Sequence, residues 1–293
     1  MKDPSFNTEV QSRPGTVVYS NRSSLSNPFK TLATILRDLY KFRELIWILF
    51  TRDLRAQYRQ TLFGYFWLFV PLLSTTIVWM FLSNTQVIQV AETPIPYPAY
   101  VMIGSLIWGV FIASVNQPLS SFNQGQGVFM KLKVPPEAFI FAGMSHVVFD
   151  TVIRSCVLVP VFFALGIVPA STSLLFPIGL LGAGLIGLSI GMLMIPISSL
   201  YTDASRFVST GLQFGMYLTP IVYPAPKNGF ASVLINANPL THVVNSTRDW
   251  LTLGFSNSNV IFLLLVTFSC ILLLTAMLIL RVVLPHLIER MGM

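Results

Sequence analysis

Long stretches without a charged side chain are the feature that most limits what this chain can fold into. Residues 155–202 contain no Asp, Glu, Lys or Arg, and neither do residues 93–130 or 61–83. Only 10% of the 293 residues are charged, whereas a typical soluble domain carries about 25% charged residues. The chain therefore lacks the polar surface that a water-soluble globule needs, and the sequence predicts an integral membrane protein.

The uncharged stretches divide into segments long enough to cross a membrane. A membrane-crossing helix needs about 20 mainly apolar residues. Breaks between the segments contain Pro and Ser, which interrupt helices. The predicted fold class is therefore all-α, an integral membrane protein with six transmembrane helices at about 61–83, 98–117, 138–166, 174–199, 206–223 and 258–281.

The basic residues predict how these helices are oriented. With six spans, both termini lie on one side of the membrane. Most of the 18 basic residues fall on that same side, in residues 1–60, in the 118–137 loop and near the C-terminus. Because Lys and Arg are enriched on the cytoplasmic side, both termini are predicted to be cytoplasmic. Residues 1–29, which are polar, are interpreted as a flexible cytoplasmic tail.

Residues 30–59 precede the first span, and the predicted transmembrane domain follows over 60–293. Apolar residues recur at helical spacing in 30–50, and Asn27-Pro28 supplies a helix cap. The segment is predicted to be an amphipathic helix at the cytoplasmic interface. It acts either as a simple anchor or as a lever that passes force from a soluble partner into the first span.

Three arginines, Arg52, Arg55 and Arg59, end this segment at a spacing that places them on one helical face. One interpretation is that they only orient the first span and pair with lipid phosphate. The other adds a role at a protein partner, and both interpretations stay open.

The third predicted span contains His146, Asp150 and Arg154, which are four residues apart and so lie on one face. A charge in mid-bilayer costs about 2.5–3.5 kcal/mol on insertion scales, so such residues are rarely accidental. Asp150 and Arg154 are either a structural ion pair or part of a polar patch that lines a substrate path. Tyr217 and Tyr223 either belong to an interfacial aromatic belt or face a channel.

The segment between the fifth and sixth spans contains two short apolar pieces, at about 229–236 and 239–253. Both are too short and too polar to cross the membrane. On the outer face they are predicted to be two re-entrant gate helices that cap the exit of a pathway, with a plain ordered loop as the alternative. The candidate gate residues are Asn238, Pro239 and Arg248.

Motifs for chemistry are missing from the sequence. It contains no Gly-x-x-x-x-Gly-Lys-Ser/Thr phosphate loop, no HExxH and no paired-cysteine spacing, so the chain is not expected to hydrolyse ATP or to bind a metal or cofactor. A membrane enzyme for lipid-linked sugars would need a pair of acids, whereas Asp203 and Glu137 are single acids in separate loops. Cys156 and Cys270 lie in apolar runs and are expected to be buried thiols.

Several segments together resemble the permease subunits of type-2 ABC exporters for polysaccharides. The resemblance covers residue 30 to the end of the chain and rests on "RDLRAQYRQTLFGYFWLFVPLL" (52–73), "YTDASRF" (201–207), "YLTPIVYP" (217–224) and "NPLT" (238–241). The chain departs from the family pattern at residues 134–137, where Val-Pro-Pro-Glu replaces a frequent Phe-Pro-Arg-Glu.

The resemblance implies a homodimer that binds two copies of a separate ATPase subunit, with ATP and Mg held on that subunit. It implies export of a polysaccharide or undecaprenyl-linked glycan across a bacterial inner membrane, with membrane lipid as a further partner. A nucleic-acid partner is not expected, because the basic residues behind the net charge of +7 are distributed along one side of the predicted spans. Drug or lipid efflux by the same fold is the main alternative. The residues implied at the ATPase interface are Arg52, Asp53, Arg55, Arg59, Lys131, Lys133 and Glu137.

Overall fold

The computed structural model describes residue 34 and residues 37–59, 61–88, 90–129, 134–226 and 228–291. The predicted tail and the lysines at 131 and 133 lie outside these residues. In the part that is described, every regular element is helical. The α-helices are α1 (Arg43–Tyr58), α2 (Val70–Asn84), α3 (Tyr97–Phe129), α4 (Pro136–Ser155), α5 (Leu158–Leu165), α6 (Phe176–Leu200), α7 (Thr202–Gly215), α8 (Phe230–Ala237), α9 (Pro239–Thr252) and α10 (Asn259–Met291).

Four segments are long and apolar enough to cross a membrane by length and composition. They are Tyr97–Val128, Pro136–Leu165, Ser173–Leu200 and Asn259–Leu287, and they match the second, third, fourth and sixth predicted spans. The all-helical fold class is thereby confirmed. The other two predicted spans contain shorter helices, α2 of 15 residues and α7 of 14 residues, so the number six stays a prediction.

Helix α3 is longer than the span predicted at 98–117. It has 33 residues, or about 50 Å at 1.5 Å per residue, against a hydrocarbon thickness of about 30 Å. The polar residues after 117 were expected to form a loop, but they continue the helix. Leu119 and Phe122 are buried there against Phe139 and Ile140 of α4, and this packing outweighs the low helix propensity of the Ser, Asn and Gly around them.

The centre of the bundle is the contact between α3 and α6. A Cβ atom added at Gly187 would lie 2.6 Å from the carbonyl oxygen of Phe111, and one at Gly191 would clash with the carbonyl of Val115. These two glycines are one turn apart and let the two backbones touch, as small residues do between membrane helices. The α3 and α6 backbones therefore pack directly against each other at these two positions.

Helix α4 and helix α5 are separated only by a short turn at residues 156–157, and Gly166 ends α5 in the left-handed conformation with φ 63°. The cysteine prediction is wrong, because Cys156 and Cys270 are both exposed on the bundle. An apolar run in a membrane protein turns part of its side chains towards lipid, so apolar neighbours in sequence do not imply burial in protein.

Candidate functional site

A polar cavity of about 330 Å³ lies between α1, α3 and α4. Its wall includes residues from two separate groups in the sequence. One is the basic joint, which is the group Arg52, Arg55 and Arg59 before the first predicted span, and the other is the polar patch His146, Asp150 and Arg154 of the third predicted span. The polar residues of its wall are Arg52, Asp53 and Gln57 from α1, Gln117, Ser121 and Gln124 from α3, and His146, Asp150, Thr151 and Arg154 from α4.

Helix α1 reaches the cavity because its apolar face packs on α4. Leu49 and Phe50 are buried, and the Phe50 ring centre lies 4.8 Å from the ring centre of His146. The amphipathic pattern of this segment thus buries its apolar face against α4. That contact turns Arg52 and Asp53 towards the polar face of α4.

The three arginines of the basic joint do not share one environment. Arg52 lines the cavity, and its Nε donates a hydrogen bond of 2.7 Å to Asp53 Oδ1. Arg55 and Arg59 are exposed and are not part of the cavity wall. The spacing predicts one shared face for the three arginines, but only Arg52 lines the cavity.

His146, Asp150 and Arg154 line one side of the cavity, as their four-residue spacing predicted. The predicted ion pair is not formed, since within the described residues no contact of 4.0 Å or less joins Asp150 to a basic side chain. Asp150 Oδ1, Arg154 Nε and both ring nitrogens of His146 are buried without a hydrogen-bond partner in that part of the chain. Buried polar atoms normally have a partner, so this wall is suited to a polar occupant.

Tyr58, the last residue of α1, also contributes a buried hydroxyl without a partner among the described residues. Burial, together with the nearby negative charge of Asp150, raises the pKa of Tyr58 to about 12. The hydroxyl therefore stays protonated and remains a hydrogen-bond donor at neutral pH. Tyr58 does not line the cavity, although it lies in the segment that carries the family resemblance.

The predicted gate segment consists of two helices, α8 and α9, that meet at Asn238. The Asn238 side chain caps α9 by accepting a 3.0 Å hydrogen bond from the Leu240 backbone nitrogen, and Pro239 occupies the first turn. Its Nδ2 donates a 2.9 Å bond to Thr219 Oγ1. Asn238 therefore ties this helix pair to the chain segment that follows α7.

Arg248 is an internal anchor of this helix pair. Its side chain is almost fully buried, and its Nη2 donates hydrogen bonds to the carbonyls of Pro220 (3.2 Å) and Ile221 (3.1 Å). The guanidinium also stacks on the ring of Tyr100 in α3. Gly104 makes room for this contact, because a Cβ atom there would lie 2.5 Å from Arg248 Nη2.

The two candidate channel tyrosines are linked to each other. The Tyr223 hydroxyl donates a 2.5 Å hydrogen bond to the Tyr217 carbonyl, while the Tyr217 side chain is exposed. Neither lines the polar cavity. They lie at the end of α7 that faces α8 and α9, away from His146, Asp150 and Arg154.

Glu137 is not presented at the surface of the chain. It lies in the first turn of α4 with 2% of its side chain exposed, and Arg281 Nε donates a 2.8 Å hydrogen bond to it. A direct contact of this carboxylate with a partner is therefore not available in this conformation. Sequence reasoning missed Arg281, because 144 residues separate the two positions. Across the described residues, no group of three or more His, Cys, Asp or Glu could hold a metal ion.

Comparison with known proteins connects these features to a family. Residues 44–252 match the ABC-2 type transporter family. The chain is 26% identical over 233 residues to the O-antigen export system permease protein RfbA of Klebsiella pneumoniae, which covers 76% of this chain and 86% of that protein. It is 24% identical over 220 residues to the protein of the same name from Myxococcus xanthus, covering 72% of this chain and 82% of that protein. The match to the family spans the cavity helices, the central helix pair and the α8–α9 segment, and the chain therefore belongs to the ABC-2 type transporter family.

Proposed function

We propose that this chain is the channel-forming permease subunit of an ATP-driven exporter that moves a polysaccharide or lipid-linked glycan outward across a bacterial inner membrane. Family membership and the names of the two relatives support this assignment. The observation that carries it is the polar cavity between α1, α3 and α4.

The cavity wall suits a hydroxyl-rich ligand better than an apolar drug. It contains five amide or hydroxyl side chains, and its two basic and two acidic side chains balance each other in charge. A sugar hydroxyl can both donate and accept a hydrogen bond. Such a group can therefore pair with an unpartnered acceptor of this wall, such as Asp150 Oδ1, and with an unpartnered donor, such as Arg154 Nε. A path for drugs or lipids would be more uniformly apolar. Apolar walls do occur on the other face of α4, where a groove against α6 suits lipid chains.

In the proposed topology both termini are cytoplasmic and six segments cross the membrane. Helix α2 together with the 3₁₀ segment Gly64–Leu68 would extend about 30 Å, and α7 together with Met216–Leu218 about 27 Å. Both lengths approach the hydrocarbon thickness of about 30 Å. Helices α8 and α9 are shorter and would form the re-entrant gate on the outer side.

This topology places the cavity on the cytoplasmic side. Counted from the outer end of α5 at Leu165, Arg154 would lie at a depth of about 17 Å and His146 at about 29 Å. The cavity would thus extend from the inner membrane boundary to near the middle of the bilayer. A glycan entering from the cytoplasm would meet it first.

The ATPase partner would bind where α3 and α4 extend into the cytoplasm. The last part of α3 and the first part of α4 lie beyond the hydrocarbon in this topology, and the sequence between them contains Lys131 and Lys133. Two ATPase subunits would bind one permease dimer and hold the ATP and Mg, since this sequence has no nucleotide-binding motif. The permease itself would act as a transporter and hold no cofactor.

A second copy of the chain would cover the exposed face of α7. That face mixes the exposed rings of Phe207, Phe214 and Tyr217 with Thr210 and Gln213. Lipid disfavours such a mixture, because polar groups in hydrocarbon need partners. A homodimer that pairs these faces would enclose a path with aromatic and polar walls.

The first test is to isolate the tagged chain with its partners in mild detergent and to assay ATP hydrolysis and glycan export in reconstituted vesicles. We expect a stoichiometric ATPase subunit and ATP-dependent transfer of glycan. Export of a fluorescent drug or lipid in place of glycan would contradict the substrate assignment. A chain that copurifies with no ATPase, even after cross-linking in cells, would contradict the exporter assignment.

A further inference from the structure

A partly buried three-residue ion cluster lies outside the polar cavity, at the opposite end of α4 from Arg154. Arg281 of α10 donates through Nε to Glu137 of α4 at 2.8 Å and through Nη2 to Asp38 at 2.7 Å. Asp38 lies in the helical residues 37–41 that precede α1. One guanidinium thus connects the N-terminal helical segment, the start of α4 and the last helix, across sequence separations of 144 and 243 residues.

The position of this cluster matters for transport. Glu137 lies in the first turn of α4, next to the place where the ATPase partner is proposed to bind. Arg281 lies 22 residues after Asn259 in α10, about 33 Å along the helix, which puts it at the inner boundary of a bilayer about 30 Å thick. The cluster therefore lies between the proposed ATPase contact and the membrane.

The two bonds of Arg281 differ in how easily they can break. The side chain of Glu137 is 2% exposed and that of Arg281 is 14% exposed, so water cannot readily replace their contact. Asp38 is 29% exposed, so its carboxylate can exchange Arg281 for water at lower cost. The guanidinium is suited to hold both acids because it donates from two edges in a fixed plane, which a lysine ammonium does not do.

We propose that Arg281 is a positioning residue that couples movement of the start of α4 to the N-terminal helical segment and to α10. This inference rests on the proposed function, in which the ATPase binds next to the start of α4. When the start of α4 moves, Glu137 moves Arg281, and the Asp38 bond carries the displacement to the helix that leads into α1 and the polar cavity. Loss of the Asp38 bond leaves the buried pair intact and interrupts only this connection.

The test uses the permease–ATPase complex in vesicles and compares Asp38→Asn, Asp38→Glu and Arg281→Lys with the parent chain. For Asp38→Asn we expect unchanged assembly, an unchanged thermal midpoint and continued ATP hydrolysis, with glycan exported per ATP reduced about fivefold or more. Asp38→Asn removes the negative charge that Arg281 pairs with, whereas Asp38→Glu keeps a carboxylate and should recover most of the ratio. Arg281→Lys keeps the positive charge beside Glu137 but bridges the two acids poorly, and should lower the ratio in the same way.

The matched control is Asp203→Asn, which removes an acid that is 91% exposed and lies 3.8 Å from Arg206. It should leave the ratio of export to hydrolysis unchanged. Equal losses of export and hydrolysis in Asp38→Asn, or a ratio that stays at the parent value, would overturn the coupling role. A parent complex that exports no glycan would contradict the proposed function. A parent complex that exports glycan, together with an Asp38→Asn variant of equal export per ATP, would contradict only the coupling role of Arg281.

Discussion

The guanidinium carbon of Arg248 lies 3.7 Å from the centre of the Tyr100 ring. Arg248 belongs to α9 and Tyr100 to the first turn of α3, so the contact fixes the proposed gate segment to the central helix of the bundle. The same guanidinium bonds the two carbonyls of residues 220 and 221. A side chain that was expected to act at an exit is therefore part of the support that holds the exit segment in place.

Replacing Arg248 by Lys should destabilise the protein by about 2–3 kcal/mol, because a buried stacking contact and a charge-assisted hydrogen bond are lost. The measurement is the thermal unfolding midpoint of the purified protein in detergent. Arg206→Lys is the control, since the Arg206 side chain is 83% exposed and should show no shift. Equal shifts in the two variants would contradict the anchoring role of Arg248.

Gly187→Ala should also lower stability, by about 1–3 kcal/mol, because the new methyl group would lie 2.6 Å from the Phe111 carbonyl oxygen and the helices would have to separate. Gly211→Ala in α7 is the matched control, since a Cβ atom there meets nothing within 4 Å. It should be neutral or stabilising by up to about 1 kcal/mol from helix propensity. Unfolding midpoints measured side by side test the prediction, and it is wrong if Gly187→Ala is the more stable of the two.

Asp150→Asn should change the free energy of unfolding by less than about 1 kcal/mol. Within the described residues Asp150 forms no ion pair. Replacing its carboxylate by a neutral amide of the same shape therefore breaks no existing ion pair. Glu137→Gln in the same helix should cost about 3–5 kcal/mol, because it leaves Arg281 in a buried site with one acid removed. Chemical unfolding of both variants in detergent gives the comparison, and a larger loss in Asp150→Asn would mean that the cavity wall is a structural pair after all.

Arg52→Glu should reduce export while the complex still assembles and hydrolyses ATP, because Arg52 is the arginine of the basic joint that lines the cavity. Arg55→Glu makes the same charge change three residues away at an exposed position outside the cavity, and its effect on export should be smaller. Export per ATP in vesicles is the readout. Equal effects of the two variants would show that charge at the joint matters rather than the cavity.

The membrane topology can be tested with single cysteines in a chain whose Cys156 and Cys270 have been replaced. Asn236 lies in the last turn of α8 and Asn257 follows α9, and both are exposed. Asn236→Cys and Asn257→Cys should react with a membrane-impermeant maleimide from outside the cell. Asp203→Cys should react only after the membrane is opened. Labelling in the reverse pattern would invert the proposed orientation.

Much of this architecture could be predicted from local sequence patterns. Hydropathy located four spans, and the Asn238-Pro239 pair located the boundary between α8 and α9, because a capping side chain followed by proline is a local signal for a helix start. The four-residue spacing of His146, Asp150 and Arg154 correctly placed them on one face.

The features that escaped prediction depend on contacts between distant residues. Arg281 meets Glu137 and Asp38 only after the bundle forms, and Arg248 finds Tyr100 across an equally long separation. The continuation of α3 beyond residue 117 depends on the packing of Leu119 and Phe122 against α4. No local pattern of Gln, Ser and Asn residues signals such a helix.

The length of α3 has a mechanical consequence. Pro118 lies 21 residues after Tyr97, about 32 Å along α3, and a proline inside a helix removes a backbone hydrogen bond and weakens the helix at that point. In the proposed topology about 30 Å of α3 lies in the hydrocarbon and about 20 Å extends beyond it, so this weak point coincides with the inner membrane boundary. A sideways displacement of the Phe129 end is therefore taken up as a bend at Pro118, and the membrane part of α3 beside Arg248 keeps its position.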